Sequence, residues 1–559
     1  ALKETVPLYI EAMKEVIDFE MIGRGFKEGK IDYIVIDTKH GSAREYYRAI
    51  MSELGLQEDI HYEIINAEFD SSFTQWNPLT GESKPERPEP VEEYSRHLIY
   101  SVNELSKKGK KVIGVACDPD ADRNGIVDGK GIFLDPNMTL AIEAQYLLQQ
   151  TFAQWLKSRA PNSAEALDDF IDSESRHNNL LPLVKEFVAT QNIGLAKSIP
   201  TSNMLNALAK LWGCRLEETK GGFKWFRPYL LPGSDRPVLI AGEQSQGLNI
   251  RSQAERPKYV VLEKDALVAG MKMLEIVAKT RLSPKELADK LQAQIGYFAY
   301  KAGGVDLRTK TALDKVDELK KQLEGKLDAL KARIQNNEVR EIAGKKIKEA
   351  IFEYGYKIIF DDDSWLCVWF SGTEPEARLH TEAKAKTIEE AEEIRAVSHA
   401  IGEGLLKSSS PAEIADSDVY RLAARLCELG LKHDPEGFGY IAFEEDGENR
   451  APRFGKPMEE AVGLIEKFMR RHLGSNPEEF SEPVIICGIG IGGQMTCAIP
   501  ALGFTVKHKN RKMVVCDSMG IDFKALEEEW VSALRANPKT KLFWAVGSKS
   551  GGTDETMIN

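Results

Sequence analysis

The apolar run Val112-Ile113-Gly114-Val115-Ala116 constrains this chain most, because it ends directly in Cys117-Asp118-Pro119-Asp120-Ala121-Asp122-Arg123. A short apolar run bounded by turn formers reads as a buried strand, and buried strands belong to sheets covered by helices. The three aspartates then alternate in the loop at the strand's carboxyl end, the edge where α/β sheets hold ligands. Hard oxygen donors at alternate positions of a tight loop suit Mg²⁺ far better than zinc. An EF-hand also starts D-x-D-x-D, but it needs Gly at its sixth position and Glu at its twelfth. Arg123 and Gly129 stand there instead. A solvated acidic loop is the bland alternative, and the strand and Arg123 weigh against it.

A second motif, Ser371-Gly372-Thr373-Glu374-Pro375 with Arg378, follows the strand-like stretch Trp365 to Phe370. Small hydroxyl residues and a glycine let backbone N–H groups approach an anion, and Arg378 can fork two donors onto it. Between the two motifs lie Gly242-Glu243-Gln244-Ser245-Gln246-Gly247 and, upstream, Gly222-Phe223-Lys224-Trp225-Phe226. In this order the four motifs resemble the α-D-phosphohexomutase superfamily, and the GFKWF segment resembles its glucose-specific branch. The resemblance implies α/β domains of the phosphohexomutase type. It implies Mg²⁺ on Asp118, Asp120 and Asp122, with Arg123 a cation beside the transferring phosphate. Glu243 and Ser245 would hold sugar hydroxyls, and Lys224 would do acid or electrostatic work. Ser371, Gly372, Thr373 and Arg378 would hold the non-reacting phosphate. The implied reaction interconverts glucose 1-phosphate and glucose 6-phosphate through glucose 1,6-bisphosphate. Gln244 and Gln246 depart from the glucose branch, which leaves phosphomannomutase or phosphoglucosamine mutase as alternatives.

At 559 residues the chain is too long for one core, and about four domains are expected. A formal charge of −13 and a pI near 5.5 argue against nucleic acid or anionic membrane as partners. No 18-residue apolar run or signal peptide is visible. The seven cysteines show no CxxC pair and several lie in apolar strands, which fits buried thiols in a reducing cytosol. His40 reads as a structural loop residue. A helix is expected over 1–25, with Tyr9, Met13, Val16, Ile17 and Met21 on one stripe, and a loop over 73–92. The expected domains are 26–138 (metal), 139–300 (sugar) and a small α+β phosphate domain over 301–406, with 1–25 the tail of an earlier domain. Leu313, Val316, Leu319, Leu323, Leu327, Leu330 and Ile334 give a helical packing face before the phosphate motif.

Lys407 to Pro411 marks a linker over 407–412, and a different pattern runs through 413–559. Apolar strands are expected at Val484–Cys487, Met513–Cys516 and Leu542–Val546. The first ends in Gly488-Ile489-Gly490-Ile491-Gly492-Gly493, the third in Gly547-Ser548-Lys549-Ser550-Gly551-Gly552-Thr553. Hydroxyls and glycines at a strand end form an anion cradle. This run resembles the phosphate loop of the phosphoglucose isomerase family. The resemblance implies a partial doubly wound sugar-isomerase domain binding hexose phosphate through Ser548, Lys549, Ser550 and Thr553. No Ser-His-Asn-Pro motif, the mark of the mutase phosphoserine, occurs in the chain, which starts at Ala1 and stops at Asn559. The expectation is a mutase–isomerase fusion cut at both ends, the alternative a non-catalytic phosphosugar-binding protein.

Overall fold

A computed structural model describes residues 2–159, 174–254, 257, 260–309, 315–370, 376–407, 484–491, 511–517 and 541–548. They fall into two units, Ala1–Gly296 and Tyr297–Asn559.

The first unit opens with α1 (Leu2–Met13) and α2 (Phe19–Lys27) rather than one continuous helix. Asp18 makes the break. Its backbone is extended and its carboxylate accepts from Met21 N at 2.8 Å, which caps α2. The expected stripe survives across the break, with Met13 and Ile17 both buried.

Next come β1 (Tyr33–Asp37), α3 (Arg44–Glu53), β2 (Tyr62–Ile65), β3 (Thr74–Trp76), β4 (Ser83–Pro85), α4 (Arg96–Lys107), β5 (Val112–Cys117) and β6 (Asn124–Val127). The sheet order is β2-β1-β5-β6, with β1 parallel to β2 and β5, and β6 antiparallel at the edge. Every residue of β1 and β5 is buried, as the apolar runs require. The segment 73–92 is not simply loop: β3 and β4 pair antiparallel, and Gly81 at φ 72° lets the chain turn between them.

The second half repeats the plan. It holds α5 (Pro136–Arg159), α6 (Glu174–Gln191), β7 (Gly194–Ser198), α7 (Met204–Trp212), β8 (Arg215–Thr219), α8 (Arg227–Leu230), β9 (Ile240–Gly242), β10 (Leu248–Ile250), α9 (Ala266–Thr280) and α10 (Pro284–Ile295). Its order is β10-β9-β7-β8, again three parallel strands and an antiparallel edge. In each sheet a tight loop joins the third parallel strand to that edge strand. Those two loops, after β5 and after β9, are two of the motifs singled out in the sequence.

The halves exchange helices. Helix α5 follows β6 but packs on α7 and α10, while α9 follows β10 but packs on α2, β5 and β6. Close approach needs small residues: a Cβ on Gly25 would meet Ala278 Cβ at 2.6 Å, and one on Gly270 would meet Val115 Cγ1 at 2.6 Å. Glu275 at this seam is fully buried and satisfied by Lys272 Nζ (2.6 Å), Asp18 N (2.9 Å) and Tyr146 OH (3.0 Å).

The second unit holds β11 (Tyr297–Asp306), α11 (Val316–Gln335), β12 (Glu341–Ile342), β13 (Lys345–Ile351), β14 (Tyr356–Phe360), β15 (Trp365–Phe370), β16 (Glu376–Ala385) and α12 (Ile388–Lys407). They form an antiparallel sheet of order β11-β16-β15-β14-β13-β12. Leu323, Leu327 and Leu330 of α11 are buried in one core with Ile358, Phe360, Leu366 and Val368. The leucine stripe is therefore a packing face; Leu313 lies outside the described residues. Separately, β17 (Val484–Ile491), β18 (Arg511–Asp517) and β19 (Lys541–Ser548) pair in parallel in the order β18-β17-β19, at the three apolar runs. Among the described residues no helix is long and apolar enough to cross a membrane. Cys117 and Cys214 are free thiols.

Candidate active site

Strand β5 delivers Asp118 into a buried position, with Asp120 exposed and Asp122 between the two extremes. Ligand oxygens of the three carboxylates lie within 4.8 Å of one another. Ala121 at φ 61° makes the turn that brings them together, although alanine seldom adopts that region. Asp118 Oδ1 accepts from Asp122 N and Arg123 N, both at 2.9 Å, and Oδ2 accepts from Arg123 Nε at 2.6 Å. A carboxylate offers about four lone-pair directions, so one stays open for a cation. Burial pushes the Asp118 carboxyl up to about 6, against the pull of its bonds to Arg123. A cation bound there would offset that desolvation. The donor set therefore fits a hard divalent ion.

The loop is braced from behind. Ser42 donates to Pro119 O through its N (2.8 Å) and Oγ (3.0 Å). A Cβ on Gly41 would stand 2.3 Å from Pro119 Cα and 2.4 Å from Pro119 O. Backbone cannot yield as a flexible side chain can. Gly41→Ala is thus expected to destabilise the first unit by about 1–3 kcal/mol and to weaken divalent-cation binding; calorimetry and cation titration check both. His40 beside it contacts Glu68 O (2.8 Å) and Thr74 O (2.7 Å), the structural tie expected of it.

Strand β9 delivers the second loop. Glu243 is buried, accepts from Gly222 N at 2.7 Å, and is 3.4 Å from the Ser245 hydroxyl. Burial raises its carboxyl above the usual range, the Gly222 N–H opposing. Gly222 opens the 3-10 turn Phe223–Trp225. Phe223 and Phe226 are buried edge to face, which leaves Lys224 outside with its ammonium 5.3 Å from the Trp225 ring centre.

The two loops meet. Asn124 N donates to Gln246 O at 3.1 Å, and Gln246 Nε2 reaches Pro90 O at 2.6 Å. Lys264 Nζ is 2.8 Å from Asp122 Oδ2, while its stem lies where a Cβ on Gly247 would be, 2.1 Å from Lys264 Cδ. Sequence reasoning missed Lys264 and the bridging role of Gln246; a lysine directly before the helix cap Asp265 was the available signal.

Of the third motif, Arg378 lies on β16, with Nε 3.1 Å from Glu376 Oε2 and its guanidinium 5.3 Å from the Trp369 ring centre. Ser371, Gly372 and Thr373 lie outside the described residues, between the paired ends Phe370 and Ala377. Ser548 closes β19; Lys549, Ser550 and Thr553 lie outside the described residues.

Residues 7–131 match the family model for phosphoglucomutase/phosphomannomutase, alpha/beta/alpha domain II, and residues 176–295 match that for domain III. A phosphoglucomutase/phosphomannomutase of Thermococcus kodakarensis is 28% identical over 69% of this chain and 63% of its own length. A phosphoglucomutase of Komagataeibacter xylinus is 26% identical over 52% of this chain and 43% of its own. The solved open form of Paramecium pp63/parafusin, a phosphoglucomutase, is 20% identical, with a TM-score of 0.46, over 74% of this chain and 63% of its own. The chain thus spans less than two thirds of each of these relatives. Residues 7–131 and 176–295 are thus similar to α/β/α domains II and III of phosphoglucomutases and phosphomannomutases.

Proposed function

We propose that the first unit is the metal- and sugar-binding part of an Mg²⁺-dependent phosphoglucomutase acting on glucose 1-phosphate, glucose 6-phosphate and glucose 1,6-bisphosphate. The observation that carries this is the junction of the two loops: the triad and Glu243 sit at equivalent strand ends of repeated sheets, tied by the Asn124–Gln246 bond. Mg²⁺ held by Asp118, Asp120 and Asp122 would supply charge neutralisation as a phosphoryl group moves. Arg123, positioned by Asp118, places a fixed cation beside that phosphate. Glu243 and Ser245 offer an acceptor and a hydroxyl to sugar hydroxyls. Lys224, exposed beside that loop, is suited to acid or electrostatic work.

In the second unit, Ser371, Gly372, Thr373 and Arg378 would hold the phosphate that does not react. Arg378→Ala is expected to weaken hexose-phosphate binding by roughly tenfold or more, since charge-assisted bonds contribute about 1.5–3 kcal/mol. Titrating glucose, mannose and glucosamine 1-phosphates into the chain tests the sugar assignment, and a preference for either of the last two would overturn it. We further propose a glucose-6-phosphate isomerase module at the carboxyl end, with Ser548, Lys549, Ser550 and Thr553 as its phosphate cradle. Its support is the parallel order β18-β17-β19 with a hydroxyl- and glycine-rich run after β19. Thr553→Ala should weaken fructose 6-phosphate binding and leave cation binding at the triad unchanged.

A further inference from the structure

On the first unit, α1 and the described residues after β10 line a small, open cleft. Met13 at the end of α1 and Val16 just after it form one wall, Leu230 another, and Val260 and Val261, both more than a third exposed, the rim. Arg251 stands on a lining of mixed apolar and polar residues. Its backbone N donates to Leu239 O at 3.0 Å, which fixes it one residue beyond β10.

The side chain of Arg251 is half-buried, yet among the described residues no carboxylate pairs with it and its buried Nε has no hydrogen-bond partner. Burial alone draws its pKa down; no neighbouring charge offsets that. A buried donor left without an acceptor is costly. Two carboxylates face the same cleft, and neither compensates it. Asp265 is occupied by Tyr9 OH (2.8 and 2.9 Å) and by Leu267 N and Val268 N (both 3.0 Å), and Glu15 lies on the α1 side.

We propose that this cleft is a binding site for a small organic monocarboxylate with an apolar body, its carboxylate on the Arg251 fork and its hydrocarbon against Leu230, Val260 and Val261. A guanidinium matches a planar carboxylate through two parallel N–H bonds. Ser252, also in the lining, adds a hydroxyl. A phosphate shares the affinity for arginine but fits less well: it is a strongly hydrated dianion against apolar walls, and Asp265 and Glu15 repel a second negative charge. The site is independent of the mutase reading.

The test is titration of the full chain with hexanoate, hexanamide and inorganic phosphate, followed by calorimetry and ligand-observed NMR. Hexanoate should bind at least roughly tenfold more tightly than either of the others, the factor a charge-assisted bond commands. Arg251→Gln should remove that preference and leave the melting temperature equal or higher, because an uncompensated charge is lost. Four results would overturn the proposal: no hexanoate binding, equal binding of hexanamide, tighter binding of phosphate, or unchanged hexanoate affinity in the variant. A lower melting temperature for Arg251→Gln would also overturn it, by showing that the arginine supports the fold rather than awaiting an anion.

Discussion

Asp120→Ala is expected to abolish divalent-cation binding while leaving stability within about 0.5 kcal/mol of the parent. Asp120 is exposed and its side chain donates or accepts no hydrogen bond among the described residues, so its carboxylate serves no packing purpose in the loop. Loss of outer-shell partners alone costs metal sites about 10–100-fold, so loss of a ligand should cost roughly a hundredfold or more. Asp118→Asn should behave differently. An amide can keep either the two backbone N–H bonds or the Arg123 Nε bond, but its NH₂ then faces a donor. That variant should lose the cation and also roughly 2–4 kcal/mol of stability. Mg²⁺ titration with thermal melts of both variants separates the ligand that only binds from the ligand that also folds the loop.

The second large effect concerns pH. His380 on β16 is buried; Tyr300 OH lies 2.7 Å from Nδ1, and among the described residues the buried Nε2 has no hydrogen-bond partner. Burial, with a smaller push from the Arg378 cation, lowers its pKa from 6.5 to about 3. The folded state therefore refuses a proton that the unfolded chain accepts below about 6.5. Stability from this residue is present above that pH and is lost as pH falls toward 3, at about 1.4 kcal/mol per pH unit. The whole effect is on the order of 3–5 kcal/mol. Melting of the second unit between pH 7 and 4.5 should fall more steeply in the parent than in His380→Gln. Parallel acid limbs would contradict the assignment.

How much of this was legible in the sequence depends on the range of the interaction. The strand–aspartate run was local: five apolar residues define β5, and alternation in a tight turn brings three carboxylates together. The position of the Glu243 loop and the leucine face of α11 were legible for the same reason. The break at Asp18 was not, because one capping residue competes with a helical stripe that continues across it. The β3–β4 hairpin was hidden by composition, since all of Ser83–Pro85 is exposed and carries no alternation. The exchange of α5 and α9 could not be read either. Every residue of α9 from Ala266 to Ala278 is buried, so no polar face marks its partner. Gln246 was visible only as a departure from a familiar loop. Its bonds to Asn124 and Pro90 span 122 and 156 positions and belong to the folded state alone.

On the proposed function, the triad loop and the Glu243 loop form one site rather than two. Linkage makes this measurable: if cation and sugar phosphate meet, each must change the affinity of the other by the same factor. Glucose 1,6-bisphosphate should be titrated into the chain with saturating Mg²⁺ and again with chelator. Coupling of about 1–3 kcal/mol, or roughly 5–150-fold, is expected, and Asp120→Ala should erase it. Equal affinity under both conditions would mean that the two loops, though joined at Asn124 and Gln246, bind nothing in common.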